Sequence, residues 1–231
     1  MKLIYFSVGL LLALCIVIVL PVKPTAKTAS VMLQSDAGTC SGVIIAHPHV
    51  LLTASHCRGL LKDGFVKTIT EDGKVHFQEL IKEDPVSDLL ILTAPDTPGI
   101  EIAEALRPGD KLTSWTHGSG LKLYSTEGEY IEDKRVEVPL FEIKSSEDEE
   151  ACKSQFKFEQ VEFSALFYPF TMCALVSWVS ETTIPVVPGS SGGAVINQHG
   201  DLAGIVSSTD GHHSQLVRLI DIKAALKGMT D

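Results

Sequence analysis

From Val31 onward the apolar residues come in short runs broken by glycine, proline and aspartate, and that cadence confines the chain to β architectures. Strands are expected at Val31–Gln34, Thr39–Ile45, Val50–Thr53, Phe65–Ile69, Val75–Ile81 and Asp88–Thr93. The second and third form a hairpin, with Ala46-His47-Pro48-His49 as its turn. Ala94–Gly109 is rich in proline and glycine and reads as a linker. Strands then resume at Lys111–Trp115, Leu121–Tyr124, Arg135–Ile143, Gln155–Phe163, Cys173–Ser180, Ala194–Ile196, Leu202–Ser207 and Gln215–Leu219. Ser145–Glu150 is an acidic run, expected to be a solvated loop between strands. Asp221–Lys227 has helix-forming composition, with Asp221 placed to cap the helix and Gly228 to stop it. Many short strands in two halves imply an all-β double barrel.

The first thirty residues stand apart. Met1 and Lys2 precede an apolar run from Leu3 to Leu20, ended by Pro21, Lys23, Pro24 and Lys27. A positive start before a hydrophobic centre is the pattern of an export signal. The run is long for a cleaved signal and just long enough for a spanning helix, so a cleaved peptide and a membrane anchor through residues 3–20 are both expectations. Either one places the body of the protein outside the cytoplasm. The net charge of −10 excludes nucleic acid and an anionic membrane surface as natural partners. Of five cysteines, Cys15 lies inside the apolar run. The other four, an even number, suit an oxidising compartment. They allow three pairings, and the natural one joins near neighbours, Cys40 to Cys57 and Cys152 to Cys173. No C-x-x-C pair is present, and neither metal nor cofactor is expected.

Chemistry concentrates in Pro188-Gly189-Ser190-Ser191-Gly192-Gly193-Ala194. Small residues let the backbone turn sharply and let a foreign backbone come close. A nucleophilic serine needs that freedom, with backbone N–H groups aimed at the oxyanion. Ser191, directly before the paired glycines, is the candidate nucleophile. The N–H groups of Gly189 and Ser191 are the candidate oxyanion hole. A serine nucleophile needs a base, and the base an orienting carboxylate. Among eight histidines, His56 in Thr53-Ala54-Ser55-His56-Cys57 ends an apolar strand beside a cysteine, which holds an imidazole rigidly at a barrel edge.

Cys-Ser-Gly-Val-Ile-Ile at Cys40–Ile45, TASHC at Thr53–Cys57 and GSSGGA at Gly189–Ala194 together resemble the chymotrypsin/trypsin-like serine peptidases. The resemblance spans Val31 to Leu219 and is specific at the histidine and serine motifs. It implies two six-stranded Greek-key β-barrels, about 31–108 and 109–218, with a short C-terminal helix about 219–228. It implies that a Cys40–Cys57 bridge braces the histidine, and that His56, Asp88 and Ser191 form a triad in the family's order. Asp88 resembles the family's acid at the head of an apolar strand; Asp84 competes with it. Vertebrate-type members are switched on by a new N-terminus that pairs with an aspartate before the nucleophile. Here Ser190 holds that position, and no Ile-Val-Gly-Gly follows a basic residue, so that switch is expected to be absent. In this the chain resembles bacterial or phage-type members, including the bacterial Deg-type proteases.

By the same resemblance Ser207, Ser208 and Thr209 form the strand that pairs with substrate, and Thr183–Pro188 the opposite pocket wall. Pro185 lies near the position where an acid would select Lys or Arg, so that preference is not expected unless Asp210 turns inward. His212 and His213 follow the wall. His213 could line the pocket and favour an acidic or amide side chain, or the pair could be an exposed loop. The expected substrate is a protein or peptide, acted on by a monomer. A peptidase fold that has lost turnover and serves as a binding module is the alternative. An α/β-hydrolase is excluded by the order of the three residues.

Overall fold

A computed structural model describes residues 24–120, 122–154, 158–165 and 168–229; the export run at residues 3–20 lies outside them. Among the described residues thirteen strands are present: β1 (Ser30–Ser35), β2 (Gly38–Ile45), β3 (Val50–Ala54), β4 (Phe65–Thr70), β5 (Val75–Asp84), β6 (Leu89–Thr93), β7 (Lys111–Thr116), β8 (Tyr124–Glu142), β9 (Phe158–Ala165), β10 (Tyr168–Thr182), β11 (Ala194–Ile196), β12 (Leu202–Thr209) and β13 (Ser214–Val217). Among the described residues three short α-helices accompany them: α1 (Ala26–Ala29), α2 (Ser146–Ser154) and α3 (Leu219–Leu226). Among the described residues no helix is long and apolar enough to cross a membrane.

The first half closes as a six-stranded barrel in the order β1-β2-β3-β6-β5-β4, with β4 returning to β1. Apolar runs made the central strands legible: β3 is buried throughout, and Leu89 to Leu92 of β6 face the same core. The second half orders its strands β13-β12-β11-β7-β8-β10-β9. Because β10 also pairs with β13, six of these strands close on themselves, and β9 extends the sheet beyond β10. The linker between the halves stitches them together. Ile100 bridges to Ile45 of the first barrel and Ile102 to Leu202 of the second.

Three expectations need correction. Tyr124–Glu142 is one continuous strand, not two, and Lys122 and Leu123 precede it; Leu121 lies outside the described residues. Its polar stretch Ser125–Glu129 carries no apolar period, and pairing with β7 holds it extended instead. The acidic run is not a loop but the start of α2. Ser145 Oγ accepts from Asp148 N (3.2 Å), and Asp148 Oδ2 accepts from Ser145 N (3.0 Å), a reciprocal cap. Glu147, Asp148 and Glu149 then lie in the first turn, where the helix dipole favours negative charge. In α3 the cap position is Arg218, not Asp221; Asp221 sits in the first turn and accepts Arg218 Nε (2.7 Å) and Nη2 (3.0 Å). Gly228, at φ +85°, follows the helix end as expected. Both near-neighbour disulfides are present, with Cα–Cα separations of 6.3 Å for Cys40–Cys57 and 5.6 Å for Cys152–Cys173.

Candidate active site

His56 is the second residue of the helical turn Ser55–Leu60 that follows β3. The turn is fixed from several sides. Cys57 is bonded to Cys40 of β2. Ser55 Oγ donates to Glu83 Oε1 (2.9 Å), Arg58 pairs with the other oxygen of Glu83, and Ser55 N donates to the Asp88 carbonyl (3.0 Å). Asp88, directly before β6, takes a left-handed backbone (φ +54°), which turns its carboxylate back toward this turn. Its Oδ2 and Oδ1 lie 2.9 and 3.1 Å from His56 Nδ1, and Oδ1 also accepts His56 N at 2.9 Å. Asp84 is occupied otherwise. Its carboxylate accepts Val86 N, Ser87 N and Ser87 Oγ within its own turn. Of the two aspartates, Asp88 is therefore the one that meets the histidine.

The serine loop is lashed to both barrels. Ser41 of β2 donates its N–H to the Ser191 carbonyl (2.8 Å) and its hydroxyl to the Gly189 carbonyl (2.9 Å). The Ser41 hydroxyl also accepts His117 N (2.8 Å). Gly192 N donates to Val206 O and Gly193 N to Ser190 O. Among the described residues, the N–H groups of Gly189 and Ser191 make no hydrogen bond, although their neighbours do. Ser190 is buried, with its hydroxyl 3.2 Å from Thr116 Oγ1 and 3.3 Å from Tyr124 Oη. Gly192 is at φ +81°, and a Cβ there would overlap Thr53 Oγ1 and the Ser41 carbonyl. Gly192→Ala is therefore expected to cost about 3 kcal/mol and lower the melting temperature by about 6–12 °C, read by calorimetry.

Ser207 joins the two groups. Its hydroxyl donates to Asp88 Oδ2 (2.5 Å), and its carbonyl receives the Ser191 hydroxyl (3.4 Å). Among the described residues no hydrogen bond runs from Ser191 Oγ to His56. Catalytic hydrogen bonds are often long without substrate. The hydrogen bond from His56 to Asp88 raises the imidazole above its ordinary 6.5, against the opposing effect of burial and with help from the carboxylate charge. Burial pushes the Asp88 carboxyl up, but the His56 hydrogen bond and charge, with the Ser207 hydroxyl, hold it below 3.8. The raised His56 value stabilises the fold fully below pH 6.5, and that contribution is lost as pH rises through the folded value. The depressed Asp88 value stabilises it above 3.8, lost as pH falls through the folded value. Catalysis by neutral His56 should rise with pH through a midpoint above 6.5, and Asp88→Asn should move that midpoint down; a pH profile of kcat/KM reads both.

The residues expected to line the pocket have particular partners. Ser208 Oγ donates to Gln215 Oε1 (2.7 Å), and Thr209 Oγ1 to the His213 carbonyl (2.9 Å). The exposed Pro185 offers its carbonyl to Thr126 Oγ1 (3.1 Å). Asp210 does not turn inward as a free acid; Oδ1 accepts His212 N (2.9 Å) and His213 N (2.7 Å). His213 Nδ1 stands 3.4 Å from Glu181, a buried carboxylate that also pairs with Lys134. Glu181, Asp210 and His213 bring ligand atoms within 4.8 Å of one another, but the Lys134 ammonium lies in that cluster, 3.8 Å from Asp210, and supplies its positive charge. Sequence reasoning gave no role to Ser41, Glu83 or the Ser207 hydroxyl. Polar residues beside apolar ones, at Ser41 before Gly42-Val43 and at Ser207 after Ile205-Val206, were the available signal.

Two β-barrels that bring a histidine–aspartate pair from one and a glycine-flanked serine from the other define a double-barrel serine peptidase architecture. The sequence pattern described as "Trypsin-like peptidase domain" matches residues 40–205, and the chain belongs to that family. A search of curated proteins returns no match. Among solved structures, the active form of the Rv3671c protease from M. tuberculosis is similar, with TM-score 0.65 and 18% identity over 89% of this chain and 83% of that one. An inactive form of the Rv3671c protease gives TM-score 0.64 at 16% identity, over 87% of this chain and 88% of that one. The serine endoprotease from Yersinia pestis gives TM-score 0.60 at 18% identity, over 88% and 62%. At these identities the likeness is one of fold.

Proposed function

We propose that the chain is an extracytoplasmic serine endopeptidase that cleaves proteins or peptides through His56, Asp88 and Ser191. The observation that carries this reading is the pair of unbonded N–H groups of Gly189 and Ser191 in a loop otherwise held by hydrogen bonds, beside a His56–Asp88 contact of 2.9 Å. In this mechanism His56 Nε2 takes the Ser191 proton as Oγ attacks the scissile carbonyl. Asp88 fixes the tautomer that leaves Nε2 free to accept and stabilises the imidazolium that forms. The two N–H groups receive the oxyanion. His56 then protonates the leaving amine, and water repeats the sequence on the acyl-enzyme.

The buried Ser190 supports a loop held without a new N-terminus, because hydroxyls of Thr116 and Tyr124 meet it where a charge pair would otherwise stand. Pro185 and the self-contained Asp210 argue against a Lys or Arg preference. The apolar run at residues 3–20 and the two disulfides support export, with residues 31–231 as a monomeric peptidase domain. One contact favours the inactive binding-module reading: the Ser191 hydroxyl is directed to Ser207 O. Hydrolysis of a denatured protein substrate separates the two readings. Turnover should fall by about 10⁶-fold in Ser191→Ala and by less than about tenfold in Ser190→Ala. No turnover by the folded unaltered chain would favour the binding module.

A further inference from the structure

The β4–β5 hairpin of the first barrel turns much of its apolar surface outward, although Val66 and Leu80 still face the core. Its barrel-facing positions include Thr68, Thr70 and Gln78, all buried, and His76, whose Nε2 is buried. Its outward positions carry Phe65, Ile69, Val75, Phe77 and Ile81, and Phe77 is 70% exposed. Four of the seven exposed large apolar side chains among the described residues lie on this one hairpin. The register makes them contiguous. Ile69 faces Val75 and Lys67 faces Phe77 across the pair, while Phe65 faces Glu79. A one-residue change of register would exchange the two faces, so a hairpin kept in this register with its apolar side outward implies an apolar environment there.

The patch continues toward the chain's own apolar run. On the next strand Met32 faces Ile69, so Val75, Ile69 and Met32 form one row across three strands. β1 leads back through α1, where Lys27 Nζ lies 3.0 Å from Glu71 in the hairpin's turn. The run Leu3–Leu20 ends four residues before Pro24, a reach of about 14 Å at most. The outward face also carries Lys67, which donates to the Gln34 amide oxygen, and Glu79, whose opposite charges cancel; at the turn Lys27 pairs with Glu71 and Lys74 with Asp72.

From this juxtaposition we propose that the outward face of the β4–β5 hairpin rests in the apolar margin of a neutral bilayer, held there by the Leu3–Leu20 run as an anchor. This inference rests on the proposed exported peptidase, with residues 3–20 kept as its anchor. A single apolar segment and an adjacent apolar patch act as two linked membrane signals, the second made effectively intramolecular by the first. Because the face is charge-neutral, its contact does not require anionic lipid, in keeping with a chain of net charge −10.

The test uses the full chain in nanodiscs of phosphatidylcholine with brominated acyl chains, comparing Phe77→Trp with the unaltered chain to subtract Trp115 and Trp178. Position 77 is exposed, so the substitution leaves the barrel intact. The expected result is at least about twofold quenching of the added tryptophan relative to unbrominated lipid, insensitive to salt. An unquenched tryptophan in a chain that stays with the nanodisc overturns the proposal and leaves the anchor standing. A chain that leaves the nanodisc overturns both. Concentration-dependent dimerisation with an unquenched, blue-shifted tryptophan assigns the face to a second copy and also overturns it. Fluorophosphonate labelling of the same sample reports the peptidase reading independently.

Discussion

His56→Ala is expected to lower kcat by about 10⁶-fold, close to the effect of removing the nucleophile itself. The imidazole is the one group at the site that can both take the Ser191 proton and return it to the leaving amine near neutral pH. Its position does not depend on its own side chain. The turn is held by the Cys40–Cys57 bond, by Ser55 and Arg58 on Glu83, and by Ser55 N on Asp88 O. Because His56 is exposed and its anchors lie on neighbouring residues, the alanine variant should fold as the unaltered chain does. Single-turnover kinetics with an activated ester would check this. A loss in both acylation and deacylation, in a chain that stays folded, is the expected outcome, and a loss below about tenfold would remove His56 from the mechanism.

Asp88→Asn is expected to lower kcat by about 10⁴-fold with little change in KM. The carboxylate accepts from three donors: His56 Nδ1, shared between its two oxygens, His56 N and Ser207 Oγ. An asparagine can offer its amide hydrogens to Nδ1, which selects the wrong tautomer and directs the imidazole proton toward Ser191. It also ends the charge interaction that stabilises the imidazolium. Asp84→Asn is the matched control. Its carboxylate serves only the turn before Asp88, so a loss of about tenfold or less is expected. Equal losses in the two variants would mean that loop order, not the charge on Asp88, carries the effect.

Much of the fold was legible because its strands are locally coded. β11 was read residue for residue at Ala194–Ile196, and β3 and β6 nearly so, since their apolar runs face a core on any fold that buries them. β8 was not, because Ser125–Glu129 is polar on both faces and owes its extension to a partner strand. The acidic helix was missed for a related reason. Like charges in sequence suggest a solvated loop, whereas a serine cap and the dipole of the first turn convert three of them into helix-stabilising groups. At the site, the serine and histidine motifs are contiguous in sequence and so could be read. The choice between Asp88 and Asp84 could not, because it depends on which carboxylate a left-handed backbone turns toward a residue thirty-two positions away. Ser207 shows the limit most clearly. Its hydroxyl and its carbonyl serve Asp88 and Ser191 in opposite directions, a role set wholly by tertiary contact.

The proposed function rests on Ser191 being an activated nucleophile that faces two unbonded N–H donors. Peptide mapping by mass spectrometry after reaction with a fluorophosphonate tests it most directly. One phosphonyl group per chain is expected, on Ser191, retained in Ser190→Ala and absent in Ser191→Ala. A folded, disulfide-bonded chain that remains unlabelled, or one labelled on Ser190, would contradict it.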